Sequence, residues 1–157
     1  MIYVETDGGR ASAGFAKRGD CVTRAVAIAT RQDYLAVYDT LSEGCRTQRL
    51  TSRSPRRRAS ARDGVNVKRA WFKRYLGELG WVWTPTMQIG SGCTVHLCAD
   101  ELPAGRLIVS VSKHYTCVID GVIHDTHNPS RGGTRCVYGY WSRGLELTAR
   151  SPGITDK

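Results

Sequence analysis

The dipeptide Asp120-Gly121 is the feature that most restricts the fold of this chain. It separates two runs rich in β-branched and aromatic residues, 114–119 and 122–126. Asp-Gly favours a two-residue turn with positive φ at both positions, and such a turn joins adjacent antiparallel strands. Similar runs occur at residues 106–112 and 136–141. The second half of the chain is therefore predicted to form an antiparallel sheet.

Helical periodicity dominates the first half of the chain. Apolar positions recur at helical spacing over residues 21–30, 34–44 and 66–79. No β–α–β alternation follows these segments, so the order of elements indicates an α+β fold with N-terminal helices packed on a C-terminal antiparallel β-sheet. The candidate N-caps are Asp20 and Asp33, and the candidate helix stops are Gly44 and Gly80.

A chain of 157 residues is long enough for one substantial core, so residues 1–157 are predicted to form a single domain. Residues 1–18 are expected to be an irregular lead-in with at most a short strand at 2–4, and residues 151–157 a tail. The apolar runs are far shorter than the roughly 20 residues of a membrane span. The N-terminus has no export signal, which favours a cytoplasmic location.

The positive charge is concentrated in one segment. The chain has 23 Lys and Arg against 14 Asp and Glu, a formal net charge of +9. Seven arginines and no acidic residue lie between Arg46 and Arg62, so the rest of the chain has 16 basic and 14 acidic residues. We expect residues 46–62 to form a mobile basic loop, either simply solvated or in contact with nucleic acid or an acidic protein.

Cys21 is placed where a thiol can become nucleophilic. It begins the first predicted helix, where unpaired backbone N–H groups and the positive end of the helix dipole favour the thiolate. A packed structural cysteine is the alternative interpretation. The chain has six cysteines, and most of them are expected to be free thiols because a cytoplasmic protein of this size needs no disulfides.

The predicted hairpin brings further polar groups together. A two-residue turn pairs Thr116 with Asp125 and His114 with His127, so these four side chains share one face. The Asp125 carboxylate can then hold one ring nitrogen of His114 and leave the other nitrogen for a thiol. His127 is the alternative base, with Asp125 two residues away on the same strand.

The sequence Gly19-Asp20-Cys21 at a helix start, His114 on a late strand and Asp125 on its hairpin partner together resemble the papain-like cysteine peptidase superfamily. The similarity covers roughly residues 15–141 and is strongest to small bacterial and phage-encoded members. It implies a papain-like fold and a cofactor-free peptidase or amide-bond transferase that acts on a protein or peptide in the bacterial cytosol. Cys21 would attack an amide or isopeptide carbonyl, His114 would protonate the leaving amine, and Asp125 would orient His114.

The chain departs from this family before the nucleophile. Residues 10–20 contain no Gln or Asn to stabilise an oxyanion, so the donors would be the backbone N–H of Cys21 together with Lys17, Arg18 or another backbone N–H. The competing function is a non-catalytic binding protein that contacts nucleic acid or an acidic host protein through residues 46–62.

The spacing Cys93-x2-His96-x-Cys98 offers three possible ligands for a metal ion. A second ligand pair is missing, so no metal is predicted and a turn with two half-buried thiols is favoured. His96 and His124 are expected to be polar surface groups and Cys117 a core residue. The fourth ligand of such a site would have been Cys117, His124 or Cys136.

Overall fold

The computed structural model describes residues 1–16, 19–53, 55 and 60–144. These residues form three α-helices, one 3₁₀ turn and six strands. None of the described helices is long and apolar enough to cross a membrane. The elements are β1 (Ile2–Glu5), α1 (Cys21–Thr30), α2 (Tyr34–Thr47), the 3₁₀ turn (Ala61–Asp63), α3 (Ala70–Glu78), β2 (Trp81–Pro85), β3 (Arg106–Val111), β4 (His114–Ile119), β5 (Val122–Asp125) and β6 (Val137–Arg143).

The strands form one sheet in the order β1-β5-β4-β3-β6-β2. The α+β class is confirmed, but the prediction of a wholly antiparallel sheet is wrong, because β1 pairs with β5 in parallel. The β4–β5 hairpin leaves the outer edge of β5 open, and the lead-in supplies a strand that satisfies its backbone groups. The lead-in is therefore ordered at residues 2–5 and pairs Ile2 with Val122 and Glu5 with Asp125.

The hairpin register is confirmed over residues 117–119 and 122–124, whereas the predicted pairs Thr116–Asp125 and His114–His127 lie beyond the paired residues. Ile119 pairs with Val122 and Cys117 with His124, as a two-residue turn requires. Asp120 and Gly121 have φ values of 46° and 78°, so both turn residues adopt the left-handed conformation that Asp and Gly tolerate. The register places His114 and Asp125 near the same end of the sheet.

Both faces of the sheet are covered. The helices pack on one face, where the fully buried side chains include Val26, Leu41 and Phe72. Cys117 belongs to this core with 0% exposure, as predicted. The other face is covered by the connection between β2 and β3, which contributes the buried side chain of Leu97. This connection forms no strand of its own apart from one bridge between His96 and Cys136.

Two helix boundaries differ from the sequence prediction. α2 continues past Gly44 to Thr47. Gly44 packs against the Trp71 ring, so this glycine allows close contact with the ring and does not end the helix. α3 begins at Ala70 instead of residue 66. The Asn66 side chain accepts a hydrogen bond from the backbone N–H of Lys68 and stabilises a turn that competes with helix.

The basic segment 46–62 is structured at both ends, which corrects its prediction as a loop. Arg46 lies in α2 and forms an ion pair with Glu43. Arg62 lies in the 3₁₀ turn, and its guanidinium carbon is 5.6 Å from the centre of the Phe15 ring. Arg56, Arg57 and Arg58 lie outside the described residues, as do Lys17, Arg18 and the predicted tail at 151–157.

Cys93 and Cys136 form a disulfide, so the expectation of a half-buried thiol at Cys93 is wrong. The other four cysteines are free, which confirms that most of the six are free thiols. The disulfide joins the β2–β3 connection to the residue that precedes β6. His96 pairs instead with Glu101, at 3.1 Å between Nδ1 and Oε2. Three of the candidate zinc ligands, Cys93, His96 and Cys136, therefore have other partners in the structure.

Candidate active site

Cys21 is the first residue of α1, and its side chain is partly exposed. Asp20 precedes the helix as predicted, but its side chain does not cap it. The Asp20 carboxylate instead pairs with the guanidinium groups of Arg10 and Arg24 and accepts a 2.7 Å hydrogen bond from the Tyr34 hydroxyl. In the two arginine contacts both partners are charged, whereas in a bond to a backbone N–H only the carboxylate is charged.

Asp125 lies at the end of β5, is 2% exposed and has partners on both carboxylate oxygens. Its Oδ2 is 2.7 Å from Nε2 of His114. Its Oδ1 accepts hydrogen bonds from the Thr126 backbone N–H at 2.7 Å and from Arg24 Nη2 at 3.2 Å. Burial opposes ionisation, but the contact with His114 prevails and lowers the pKa of Asp125 to about 2.

His114 links Asp125 to Cys21. Burial disfavours the imidazolium, yet hydrogen bonding to Asp125 and to Cys21 raises the pKa of His114 to about 9. Burial likewise disfavours the thiolate of Cys21, yet its pKa is lowered because His114, the Tyr115 backbone and the charge of Arg24 stabilise the anion. Both shifts favour the charged forms, which are the thiolate of Cys21 and the imidazolium of His114.

His127, the alternative base, lies beside this pair. Its ring centre is 5.0 Å from that of His114, and its side chain is exposed. His114, and not His127, makes the short contact with Asp125. Ligand atoms of His114, Asp125 and His127 lie within 4.8 Å of one another, so these three residues could hold a metal ion. Such an ion would compete with the hydrogen bond between His114 and Asp125.

Cys21 and His114 line a cavity of about 400 Å³. A second cavity of about 530 Å³ shares four lining residues with it, so the two are adjacent and together form a groove. The rings of Trp83 and Trp141 line the second cavity. The four shared residues are Val67, Ser110, Tyr115 and Tyr138.

An oxyanion formed at Cys21 would lie near the N-terminus of α1. The N–H groups in the first turn of a helix have no acceptor within the helix and can donate to an anion. Two of the predicted donors, Lys17 and Arg18, lie outside the described residues. The backbone N–H of Cys21 is the predicted donor that the described part of the chain contains.

A buried ionic network behind the site was not predicted from the sequence. Arg24 contacts both Asp20 and Asp125, while Arg10 contacts Asp20. The spacing of Asp20 and Arg24 at positions i and i+4 could have indicated their pairing. No local signal connects Arg24 with Asp125, because 101 residues separate them.

The fold therefore brings Cys21, His114 and Asp125 together from α1, β4 and β5. Each residue lies at an end of its element, so its polar group lies at the edge of the apolar core between the helices and the sheet. Comparisons with models of protein families, with curated proteins and with solved structures gave no match to this chain.

Proposed function

We propose that this chain is a cysteine peptidase, or a related amide- or isopeptide-bond hydrolase or transferase. Cys21 is the nucleophile, His114 the general acid and base, and Asp125 the residue that orients His114. The observation that carries the proposal is the 2.7 Å contact between His114 Nε2 and the Asp125 carboxylate, because His114 lines the same cavity as Cys21. Opposite shifts in the pKa values of Cys21 and His114 further support a preformed ion pair.

In the first half-reaction the Cys21 thiolate attacks the carbonyl carbon of the substrate. The carbonyl π electrons move to oxygen, and backbone N–H groups at the start of α1 stabilise the resulting oxyanion. His114 then gives its proton to the amide nitrogen, the C–N bond breaks and the amine leaves. The acyl group remains on Cys21 as a thioester.

In the second half-reaction neutral His114 accepts a proton from the incoming nucleophile. Water gives hydrolysis, and a second amine gives acyl transfer. The C–S bond breaks, the thiolate of Cys21 is restored, and His114 is again an imidazolium. Asp125 remains ionised throughout and stabilises the charged form of His114.

The groove beside Cys21 suggests which substrates fit. The groove has room for large apolar side chains of a substrate, and the aromatic rings that line it can pack against them. Among the described residues that line its two cavities there are three lysines and no carboxylate. We therefore expect a peptide segment with apolar side chains and neighbouring acidic residues. The three lysines are Lys68, Lys73 and Lys113.

Alkylation by iodoacetamide tests the nucleophile. Mass spectrometry after a short exposure at pH 6 should show Cys21 modified at least about tenfold faster than Cys98, because only the thiolate reacts. His114→Ala should abolish this preference, while the matched variant His127→Ala should retain it. Cys117 is an internal reference, because burial raises the pKa of its thiol to about 12.

Amide chemistry is tested with fluorogenic peptide amides that carry acidic and apolar residues, with Cys21→Ser as the control. The proposal predicts cleavage, or transfer to added hydroxylamine, that depends on Cys21 and is unaffected by EDTA. Equal alkylation of Cys21 and Cys98 would overturn the proposal. Turnover that EDTA abolishes and Cys21→Ser preserves would instead indicate a metal at His114, Asp125 and His127.

A further inference from the structure

Arg24 occupies an unusual position in the first turn of α1. It is three residues after Cys21, and the residue is only 6% exposed. One guanidinium nitrogen, Nη1, pairs with Asp20, and the other, Nη2, is 3.2 Å from Oδ1 of Asp125. A single buried cation therefore joins the helix that carries Cys21 to the strand that carries Asp125.

The two carboxylate oxygens of Asp125 have different partners. Oδ1 is held by Arg24 and by the backbone N–H and the hydroxyl of Thr126, and Oδ2 is left for His114. Both Thr126 groups belong to the residue next to Asp125 in the chain, so they do not fix the carboxylate relative to α1. The planar guanidinium of Arg24 supplies this restraint, because it is itself fixed by Asp20.

We propose that Arg24 is a positioning residue for the reaction, which fixes the Asp125 carboxylate so that Oδ2 faces His114. It acts through Asp125 and His114 and does not touch the substrate. The inference rests on the proposed function, since it assigns Arg24 to the same thiolate–imidazolium pair. It also gives the charge of Arg24 a role, because a fixed cation near Cys21 favours the thiolate.

The other ionisable groups around the pair come from several elements. Lys113 lies in the turn before β4, His114 begins β4, Asp125 ends β5, and His127 lies just beyond β5. Removal of the Arg24 charge leaves these groups in place. The pKa of Cys21 should then rise, because one of the cations that lower it is lost.

The decisive comparison is between Arg24→Met and Arg10→Met. Both variants remove a buried cation that pairs with Asp20. Of these two arginines, Arg24 also pairs with Asp125, whereas Arg10 forms no ion pair with Asp125 among the described residues. The rate constant for Cys21 alkylation is measured from pH 3 to pH 10. We expect Arg24→Met to move the acidic limb of this profile upward by about one pH unit, which makes the reaction about tenfold slower on that limb. Arg10→Met should leave the limb in place.

A second measurement covers the case in which Arg24→Met does not fold. Arg24→Lys keeps a positive charge, but its single ammonium cannot hold both carboxylates in the guanidinium geometry. The proton shared by His114 Nε2 and Asp125 should give a downfield NMR signal in the wild type, since the two atoms are 2.7 Å apart. This signal should broaden or vanish in Arg24→Lys and persist in Arg10→Met.

The outcomes separate this inference from the proposed function. If Cys21 of the wild type reacts no faster than Cys98, the proposed function fails, while the NMR signal still reports whether Arg24 positions Asp125. If Cys21 is selectively reactive but the Arg24 and Arg10 variants share one alkylation profile, Arg24 has only a structural role. A downfield signal that survives in Arg24→Lys likewise overturns the positioning role.

Discussion

The side chains of His114 and Asp125 depend on each other for their charges. Each is largely buried, and burial alone would favour the neutral form of both. Their 2.7 Å contact opposes this preference. Together with Cys21 it raises the pKa of His114 to about 9, and it lowers the pKa of Asp125 to about 2. The charged pair should therefore contribute to the stability of the fold as well as to chemistry.

The pH dependence of unfolding tests this pair. The charged His114 side chain makes its full contribution to the free energy of unfolding below its usual pKa of 6.5. This contribution is lost as the pH rises through about 9. The Asp125 contribution is complete above its usual pKa of 3.8 and is lost as the pH falls towards about 2. The free energy of unfolding in urea should therefore fall by on the order of 1–3 kcal/mol between pH 5 and pH 2.5. At alkaline pH the loss at His114 is opposed by Cys21, whose lowered pKa adds stability as the pH rises towards 9.

Asp125→Asn should flatten this profile, because an uncharged amide no longer stabilises the imidazolium. Asp100→Asn is the matched control, since it removes a carboxylate from an exposed turn. An Asp125→Asn profile that follows the wild type would show that the pair contributes nothing to stability.

Helices α2 and α3 meet where Gly44 faces Trp71. Glycine normally weakens the middle of a helix by roughly 0.5–1 kcal/mol relative to alanine. Here a Cβ atom would overlap the Trp71 ring, so close packing of the two helices outweighs the helix propensity of residue 44. The Trp71 indole N–H also donates to Gln48, at 3.2 Å, which holds the ring in place.

Alanine substitution at two glycines separates these effects. Gly44→Ala should lower the free energy of unfolding by about 1–3 kcal/mol, because Trp71 must move out of a packed position. Gly77→Ala, in α3, should raise it by about 0.5–1 kcal/mol, because a Cβ there meets nothing within 4 Å. Thermal and urea unfolding measure both. A stabilising Gly44→Ala would contradict the close packing of α2 against α3.

The two faces of the sheet are covered by different kinds of structure. Three helices cover one face with a large apolar core, whereas an irregular connection covers the other. Irregular segments form fewer backbone hydrogen bonds among their own residues, so other contacts must hold them in place. The disulfide between Cys93 and Cys136 provides such a constraint, because it ties this connection to the start of β6.

Removal of the disulfide should therefore loosen the second face. The two cysteines are 43 residues apart, and a closed loop of that length corresponds to about 4 kcal/mol of lost chain entropy in the unfolded state. The double variant Cys93→Ser, Cys136→Ser should lower Tm and make it insensitive to dithiothreitol. Cys98→Ser, which leaves the disulfide intact, should keep the wild-type response to dithiothreitol. A wild-type Tm unaffected by dithiothreitol would contradict the disulfide.

Local chemistry accounts for the parts of the site that could be predicted. The Asp120-Gly121 turn determines the hairpin register, and that register places His114 near Asp125. The helical periodicity after Asp20 likewise predicts that Cys21 begins a helix. These predictions succeed because turn and helix preferences depend on residues that are close in the chain.

The sequence alone determined an α+β chain, a two-residue hairpin and a cysteine at a helix start, because each depends on neighbouring residues. Only the tertiary structure decided that β1 joins the sheet beside β5, that Arg24 reaches Asp125 and that Cys93 pairs with Cys136. Those contacts join distant segments, and their free energies depend on which groups become buried together. No local pattern records that outcome, and the environment that favours charge on Cys21 and His114 therefore arises from packing.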